Sequence, residues 1–243
     1  MKSKVSIIIP THNRSQFLMD VLESVSNQTK KPFEVIVVDD GSTDNTREAM
    51  LNSGYRAHYI QQENSGPAAA RNRGIAAARG NILAFLDDDD LLLPHALELA
   101  VRRLENRASF QVGIVFGLIM RIKNVKRVKD KIVYEEIPPV WPERMIGSAI
   151  IRKEVFNRVG LFDESLTLGQ DIDWYMRARE KHIRFSFLNE ITYLYRMHNN
   201  NRTNNKHESR KFMLKVLKKS LSRRERAGSG IAQPLLALSD FLY

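Results

Sequence analysis

Cysteine is absent from all 243 residues of the chain. A disulfide framework and a thiolate metal site are therefore excluded. Long apolar runs are also missing: Val5–Ile9 ends at Pro10, and no stretch approaches the roughly 18 apolar residues that a membrane-spanning helix needs. These absences suit a globular protein in a reducing compartment, and we expect a cytoplasmic location.

Two glycine-rich phosphate-binding patterns are missing as well. The first predicted strand is not followed by G-x-G-x-x-G, and G-x-x-x-x-G-K-[ST] occurs nowhere. This disfavours the dinucleotide and Walker-type phosphate cradles. The charge of a phosphorylated ligand would have to be met by a metal or by basic side chains such as Arg71 and Arg73. For Arg73, an exposed helix face is the favoured alternative.

Acidic residues are in the minority. The chain has 38 Lys and Arg against 28 Asp and Glu, a formal net charge of +10. Such a surplus suits anionic partners, which include nucleotides, nucleic acid and anionic lipid. A nucleic-acid binder should carry its charge in one stripe with stacking aromatics. Here much of the charge lies in one terminal helix and the aromatics are scattered, so we expect no nucleic-acid partner.

Strands and helices are predicted to alternate four times in the first half of the chain, at roughly 25-residue spacing. The predicted strands are Val5–Pro10, Glu34–Val38, Ala57–Gln61 and Ile82–Leu86. This order predicts an α/β fold with a parallel, doubly wound sheet. Polar clusters follow three of these strands, and open α/β sheets place their ligands at such carboxyl ends.

The second half is predicted to contain further strands and an irregular, proline-rich loop over Ile137–Glu143. The strands expected there are Val112–Phe116, Leu118–Ile122, Lys131–Tyr134, Ser148–Ile151, Arg184–Leu188 and Thr192–Arg196.

The acidic run Asp87–Asp90 directly follows the predicted buried strand Ile82–Leu86. Adjacent carboxylates repel one another, and at the edge of a core that cost is large unless a cation is present. Mg²⁺ and Mn²⁺ take oxygen ligands, and Mg²⁺ typically uses one or two carboxylates together with substrate phosphates. The run therefore indicates a metal–diphosphate site. The alternative is an acidic helix N-terminus before Pro94, favoured by the helix dipole.

Three more carboxylates and one histidine stay open on residue type alone. Asp39 and Asp40 end a strand, where a carboxylate can accept from a base ring N–H or from ribose hydroxyls, or can cap the next helix. Asp171 begins a predicted helix, which suits either a general base or a cap. His198 follows a predicted strand, and a lone histidine is more often a surface or core residue than a ligand.

Six motifs, in order, resemble those of the family 2 glycosyltransferases, which have the GT-A fold. The motifs are VSIIIPTHNR from Val5, EVIVVDDGSTD from Glu34, NSGPAAARN from Asn64, FLDDDD from Phe85, GLFDE from Gly160 and GQDID from Gly169. Each motif is moderately specific, and six in order are very specific. The resemblance covers about residues 4–200 and implies an inverting transfer of a sugar from a nucleotide-diphosphate donor to an acceptor hydroxyl.

The resemblance also implies roles for single residues. Asp171 would be the catalytic base, in a motif that usually reads Glu-Asp but has Gln170 here, which removes one negative charge without removing the base. The metal, Mn²⁺ or Mg²⁺, would be held by Asp87, Asp89 and His198, the last in a Tyr-Arg-x-His element. The nucleotide-sugar would be held by Pro10, Thr11, Asn13, Arg14, Asp39, Asp40, Arg71, Asp87 and Asp88.

We expect residues 1–205 to form one GT-A catalytic domain. A Rossmann-like half with a mostly parallel sheet (1–110) would bind the nucleotide-sugar, and 111–205 would bind the acceptor. Residues 206–243 would form a C-terminal extension that contains a basic amphipathic helix. Residues 206–226 of that helix would dock either on anionic membrane, at the inner face of the plasma membrane and near a lipid-linked acceptor, or on the catalytic core.

The predicted function is that of a metal-dependent hexosyl- or N-acetylhexosaminyl-transferase. The donor would be a UDP-sugar, and the acceptor a glycan or lipid-linked glycan in polysaccharide, O-antigen or other cell-surface glycan synthesis. The alternative is a nucleotidyltransferase or sugar-nucleotide pyrophosphorylase. That class should show a glycine-rich loop with a basic residue after the first strand, which the segment Thr11–Arg14 is not.

Overall fold

The computed structural model describes residues 3–106, 111–129, 131–142, 144–199, 201 and 206–226. Its strands are β1 (Val5–Thr11), β2 (Glu34–Asp39), β3 (His58–Gln61), β4 (Ile82–Phe85), β5 (Leu91–Leu92), β6 (Val112–Val128), β7 (Lys131–Trp141), β8 (Ala149–Arg152) and β9 (Arg184–Arg196). Its helices are α1 (Ser15–Ser26), α2 (Thr46–Asn52), α3 (Pro67–Ala77), α4 (Ala96–Glu105), α5 (Lys153–Val159), α6 (Gln170–Glu180) and α7 (Lys206–Arg226), with a short 3-10 helix at Ile146–Ser148.

The strands of the described residues form one nine-stranded sheet in the order β3-β2-β1-β4-β8-β6-β9-β5, with β7 paired to β6. In the first half, β1 pairs in parallel with both β2 and β4, and β2 pairs in parallel with β3. The register places Thr11 beside Asp39. The predicted parallel α/β arrangement is therefore confirmed, and the carboxyl ends of the central strands lie at one edge of the sheet.

The sheet is buried on both faces, because the side chains of each strand alternate between two helical layers. On β1, Ile7 and Ile9 pack in a core with α1 and α4, whereas Ile8 packs in a second core with α3, α5 and α6. This burial on both faces explains why the first strands read as continuous runs of valine and isoleucine. The layers leave the strand ends open, which is where the polar loops gather.

The second half departs from the predicted element boundaries. The separate strands predicted on either side of Gly117 are one strand, β6, and those predicted on either side of Ile191 are one strand, β9. Gly117 does not end β6, because it lies against Thr192 at a point where the β6–β9 register shifts. A residue without a Cβ allows that close approach within a continuing strand.

The predicted irregular loop Ile137–Glu143 is also wrong over most of its length, because β7 continues to Trp141. The bond between Pro138 and Pro139 is cis. Among the described residues β7 pairs only with β6, and the two prolines lie in this edge strand where its register with β6 shifts, between the partners Ile137 and Trp141.

Helix α7 lies on the α/β core, against α6. Val216 is fully buried there, in contact with a small apolar cluster that contains Leu166 and Met176. No helix in the described part of the chain is long and apolar enough to cross a membrane. The predicted extension beyond 226 and the predicted boundary at 110 lie outside the described residues.

Candidate active site

Three loops, which follow β1, β2 and β4, meet at the carboxyl edge of the sheet. His12 joins them: its Nδ1 lies 2.8 Å from the carbonyl oxygen of Asp40, and its backbone N–H donates to Asp88 Oδ2 at 3.2 Å. Asn13 adds a second link, because its Oδ1 accepts from the Thr43 N–H at 2.7 Å. Asn13 has a φ of 54°, which asparagine tolerates better than most residues. The loops therefore form one connected surface.

At the end of β2, Asp39 and Asp40 are both buried and face different partners. Asp39 accepts from the backbone N–H of Ser42 at 2.7 Å and from the Tyr59 hydroxyl. Asp40 accepts from Gln62 Nε2 and from the backbone N–H groups of the two residues before Pro67, each at 2.8 Å. Asp40 thus holds the turn that leads into α3.

At the end of β4, carboxylates alternate with arginines. Asp87 pairs with Arg71 of α3 at 2.6 Å, and Asp89 pairs with Arg14 at 2.8 Å. Arg71 is only 6% exposed, so its charge belongs to the interior of the site. His198 Nε2 lies 3.0 Å from Asp89 Oδ2 and 3.2 Å from Arg14 Nη1. The structure thus brings the residues predicted from four distant motifs into one cluster.

Asp90, the fourth carboxylate of the run, points into the protein. It accepts from the Tyr193 hydroxyl and, at 2.7 Å, from the backbone N–H of Arg196, both near the end of β9. Burial first, and the neighbouring charges of Asp89 and Asp87 next, raise its pKa well above the ordinary aspartate value. Asp90 therefore fastens the acidic loop to the second half of the sheet.

The electrostatics of the acidic loop fit a divalent cation. Burial and, secondly, the charge of Asp89 raise the pKa of Asp88 to about 7, although Arg14 opposes this. Carboxylate oxygens with one imidazole are suitable ligands for Mn²⁺ or Mg²⁺. In the described part of the chain, no group of three His, Asp or Glu side chains is already arranged to hold a metal ion. Instead, Arg14 Nη1 contacts both Asp89 and His198, so these two metal-type donors already face a positive charge.

Asp171 lies in the first turn of α6. The residue just before this helix, Gly169, has a left-handed backbone conformation with a φ of 71°. Asp171 Oδ1 accepts from the backbone N–H of Ile172 at 2.9 Å. Burial raises the pKa of Asp171, the positive charge of Arg71 lowers it, and the charge of Asp87 raises it again, with a net upward shift. Arg71 therefore interacts with the acidic loop and with Asp171 together.

A cavity of about 570 Å³ opens between the start of α3, the loop between α5 and α6, and α7. Its lining includes Ser65 and Gly66 on the first side, Glu164 and Leu168 on the second, and Phe212 of α7. Glu164 is fixed by Asn72 Nδ2 at 2.8 Å. The cavity thus lies between the turn held by Asp40 and the loop that leads to Asp171.

Several residues of this site were missed by sequence reasoning. His12 donates to the carboxylate of Asp88, Tyr59 donates to that of Asp39, and Asn72 holds the loop before Asp171 through Phe162 as well as Glu164. His12 and Asn72 stand inside the quoted motifs, so their position was a usable signal. Tyr59 lies in a plain strand and carried none. Arg73 is exposed, which confirms the preferred alternative for it.

The combination of a sheet with parallel strand ends, an acidic loop paired to buried arginine, and a carboxylate on a facing helix defines a GT-A type α/β domain. The chain belongs to the glycosyl transferase family 2, whose family model matches residues 6–160.

Similar proteins are found among curated sequences. An uncharacterized glycosyltransferase of Rickettsia felis is 44% identical over 173 residues, which are 68% of this chain and 27% of that protein. Chondroitin synthase of Escherichia coli is 32% identical over 231 residues, 90% of this chain and 33% of that protein. The chain therefore spans only about a quarter to a third of these two relatives.

Solved structures share the fold. S. aureus TarS in complex with UDP-GlcNAc superposes with a TM-score of 0.66 at 22% identity, covering 83% of this chain and 61% of that one. The mannosyltransferase PcManGT from Pyrobaculum calidifontis, in complex with GDP-Man and Mn²⁺, superposes with a TM-score of 0.67 at 19% identity. The superposition covers 93% of this chain and 65% of that one. At these identities the likeness establishes the fold.

Proposed function

We propose that this chain is a metal-dependent, inverting glycosyltransferase that moves a sugar from a nucleotide-diphosphate donor to an acceptor hydroxyl. One observation carries the proposal: buried Arg71 forms an ion pair with Asp87 of the acidic loop at 2.6 Å, and its positive charge also lowers the pKa of Asp171 on α6. Leaving-group and base functions would thus face each other across one cleft. Family membership supports the same chemistry.

The donor is proposed to be a UDP-sugar, with a hexosyl or N-acetylhexosaminyl group. Support comes from TarS, which binds UDP-GlcNAc and UDP, whereas the Pyrobaculum neighbour binds GDP-Man. Asp39 would accept from the base, and buried Thr11 and Pro10 would line the nucleotide beside it. Arg71 would meet phosphate charge, because a buried guanidinium binds phosphate oxygens strongly. Asp40 and Asn13 would act by holding the loops.

The residues that would hold Mn²⁺ or Mg²⁺ are Asp87, Asp89 and His198, with Asp88 beside them. When bound, the metal supplies Lewis-acid stabilisation of the charge that develops on the leaving diphosphate. Arg14, which now pairs with Asp89 at 2.8 Å, would turn its guanidinium to the diphosphate.

Asp171 would take the proton of the acceptor hydroxyl as that oxygen attacks the anomeric carbon from the side opposite the diphosphate. The raised pKa of Asp171, caused first by burial, makes its carboxylate a stronger base than an exposed aspartate. The cavity beside Leu168 is proposed as part of the acceptor site. The acceptor would be a glycan or lipid-linked glycan of a surface polysaccharide or O-antigen type.

Contact of α7 with anionic membrane is a separate proposal. The inner face of α7 packs on the core, but Leu214 is 68% exposed and Leu221 is 43% exposed on its outer face. Exposed Lys218 lies between them. We expect binding to vesicles that contain anionic lipid, and co-sedimentation that is independent of anionic lipid content would contradict it.

The catalytic proposal is tested by Asp171→Asn. Turnover should fall about 10²–10⁴-fold, because the base is lost, while donor affinity changes little. Glu190→Gln, an exposed position on β9, serves as the matched control. Near-normal transfer by Asp171→Asn would reject the role. Formation of a nucleotide-sugar from nucleoside triphosphate and sugar phosphate would instead support the nucleotidyltransferase alternative.

A further inference from the structure

Helix α7 lies outside the part of the chain that the family model matches, yet it is fastened to the element that bears Asp171. Val216 is fully buried against Leu166 and Met176. Its Cγ2 would lie 3.4 Å from a Cβ placed on Gly169, the residue at the start of α6. The apolar face of α7 therefore presses directly on the turn from which Asp171 projects.

Arg223 of α7 forms ion pairs with acidic residues at both ends of α6. Its Nη1 donates to Asp173 Oδ1 at 2.9 Å, in the first turn, and its Nε donates to Glu180 Oε2 at 2.9 Å, in the last turn. Asp173 is only 1% exposed and stands two residues after Asp171. Its other oxygen accepts from Arg177 at 2.9 Å. Because a buried carboxylate needs its partners, loss of Arg223 would disturb this turn.

Lys219 of α7 binds two side chains of the loop before α6. Its ammonium group contacts Asp163 Oδ2 and donates to Ser165 Oγ at 2.9 Å. Burial alone would raise the pKa of Asp163, but hydrogen bonds from Lys219 and Ser165 lower it to about 2. The Asp163 carboxylate is thus ionised at neutral pH, and its contact with Lys219 ties α7 to the segment that precedes Gly169.

The same loop is held from the opposite side by α3. Asn72 donates to the carbonyl oxygen of Phe162 at 2.9 Å and accepts from the Phe162 N–H at 2.9 Å. Its neighbour Arg71 pairs with Asp87. Asp171 therefore stands on a segment held between α3, which carries the donor-side arginine, and α7.

We propose that Arg223 and Lys219 are positioning residues for Asp171, so that α7 is part of the catalytic unit. This inference rests on the proposed function, in which Asp171 is the base. Proton abstraction requires hydrogen-bond distance to the acceptor hydroxyl, and a displacement of about 1 Å can cost on the order of 10²-fold in rate. The donor contacts lie on β1, β2, α3 and β4, so they stay intact when α7 is loosened.

The experiment uses the full chain with Arg223→Gln, Lys219→Gln and Arg223→Lys. Arg102→Gln is the control, since Arg102 is an exposed arginine on α4. Arg223→Gln should lower kcat about 10–10²-fold, with UDP–Mn²⁺ affinity unchanged within about twofold. Arg223→Lys should recover part of the loss because it restores the charge. The acidic limb of the kcat–pH profile should shift in Arg223→Gln and stay in place in Arg102→Gln.

A second readout does not depend on activity. Amide hydrogen exchange over residues 169–174 should be faster in Arg223→Gln than in Arg102→Gln, because the first turn of α6 is released. Unchanged exchange there, or a parallel fall in kcat and UDP–Mn²⁺ affinity, would overturn the positioning role. Failure of the proposed function looks different: wild type and Asp171→Asn would then transfer sugar equally, or not at all, whatever the exchange result.

Discussion

The ends of β2 and β4 both carry adjacent carboxylates, yet the protein satisfies them in different ways. At β2, the hydrogen bonds described for Asp39 and Asp40 all come from neutral donors, which are backbone N–H groups, an amide and a tyrosine hydroxyl. At β4, Asp87 and Asp89 pair with arginines, and the pKa of Asp88 is raised to about 7 by burial and by its neighbour's charge.

The difference separates two uses of the same residue type. Neutral donors fix the geometry of a carboxylate and leave no demand for a cation. Crowded carboxylates with a raised pKa are poorly stabilised by the chain alone, so they gain from a bound metal. Both loops end neighbouring strands, and from these partners we expect the β4 loop to take the metal and the β2 loop to bind by hydrogen bonds.

The largest effect should come from Asp89→Ala compared with Asp39→Asn. Asp89→Ala should lower kcat/KM by about 10²-fold or more, with UDP affinity no longer responding to Mn²⁺, because it removes a proposed metal ligand. Asp39→Asn should lower the affinity for UDP by about tenfold, equally with and without Mn²⁺, because it removes a charge-assisted hydrogen bond. Calorimetric titration of UDP across a Mn²⁺ series measures both. An equal metal response in the two variants would remove the distinction.

A smaller effect should separate Asp40→Asn from Asp90→Asn in stability. Asp40 accepts three N–H donors, so an amide NH₂ would face a donor, and we expect a loss of about 1–3 kcal/mol. Asp90 accepts from Arg196 N–H and contacts the Tyr193 hydroxyl, which can accept in turn. An asparagine satisfies both, so Asp90→Asn should cost less despite deeper burial. Urea unfolding of both variants tests the order, and the reverse order would contradict this account.

The smallest effect is a pH dependence confined to the β4 loop. The pKa of Asp88 rises from 3.8 to about 7, so between these values the native state binds more protons than the unfolded state. Without metal, this group makes stability fall as pH rises through that window. Mn²⁺ competes with the proton, so its affinity should rise by up to about tenfold per pH unit below 7 and level off above.

Thermal shifts with and without Mn²⁺ at several pH values between 5.5 and 8 measure this linkage. Asp88→Asn is the matched variant, since it removes the titrating group and keeps the shape. The slope of the Mn²⁺ effect with pH should flatten in Asp88→Asn. An identical slope in the two proteins would assign the pH dependence to another group.

Prediction from sequence worked where the signal was local. The strands that end at Asp39 and before Asp87 were found because each is a short apolar run followed directly by charge. The prediction of two strands separated at Gly117 was wrong, because this glycine allows close contact with Thr192, 75 positions further on, within one continuous strand. The roles of Asp40 and Asp90 could not be read either, because their partners in the turn before α3 and in β9 come together only through tertiary folding.

Arg71 has a consequence for the order of events in the cleft. Burial lowers the pKa of Arg71, but the negative charges of Asp87 first and Asp171 next raise it, and the net shift is upward. Two opposing carboxylates therefore share one counter-ion. Any ligand that draws charge away from Asp87 leaves Arg71 more available to Asp171, and by thermodynamic reciprocity protonation of Asp171 changes the affinity for that ligand. Under the proposed roles, donor binding and the basicity of Asp171 would be coupled through this one guanidinium.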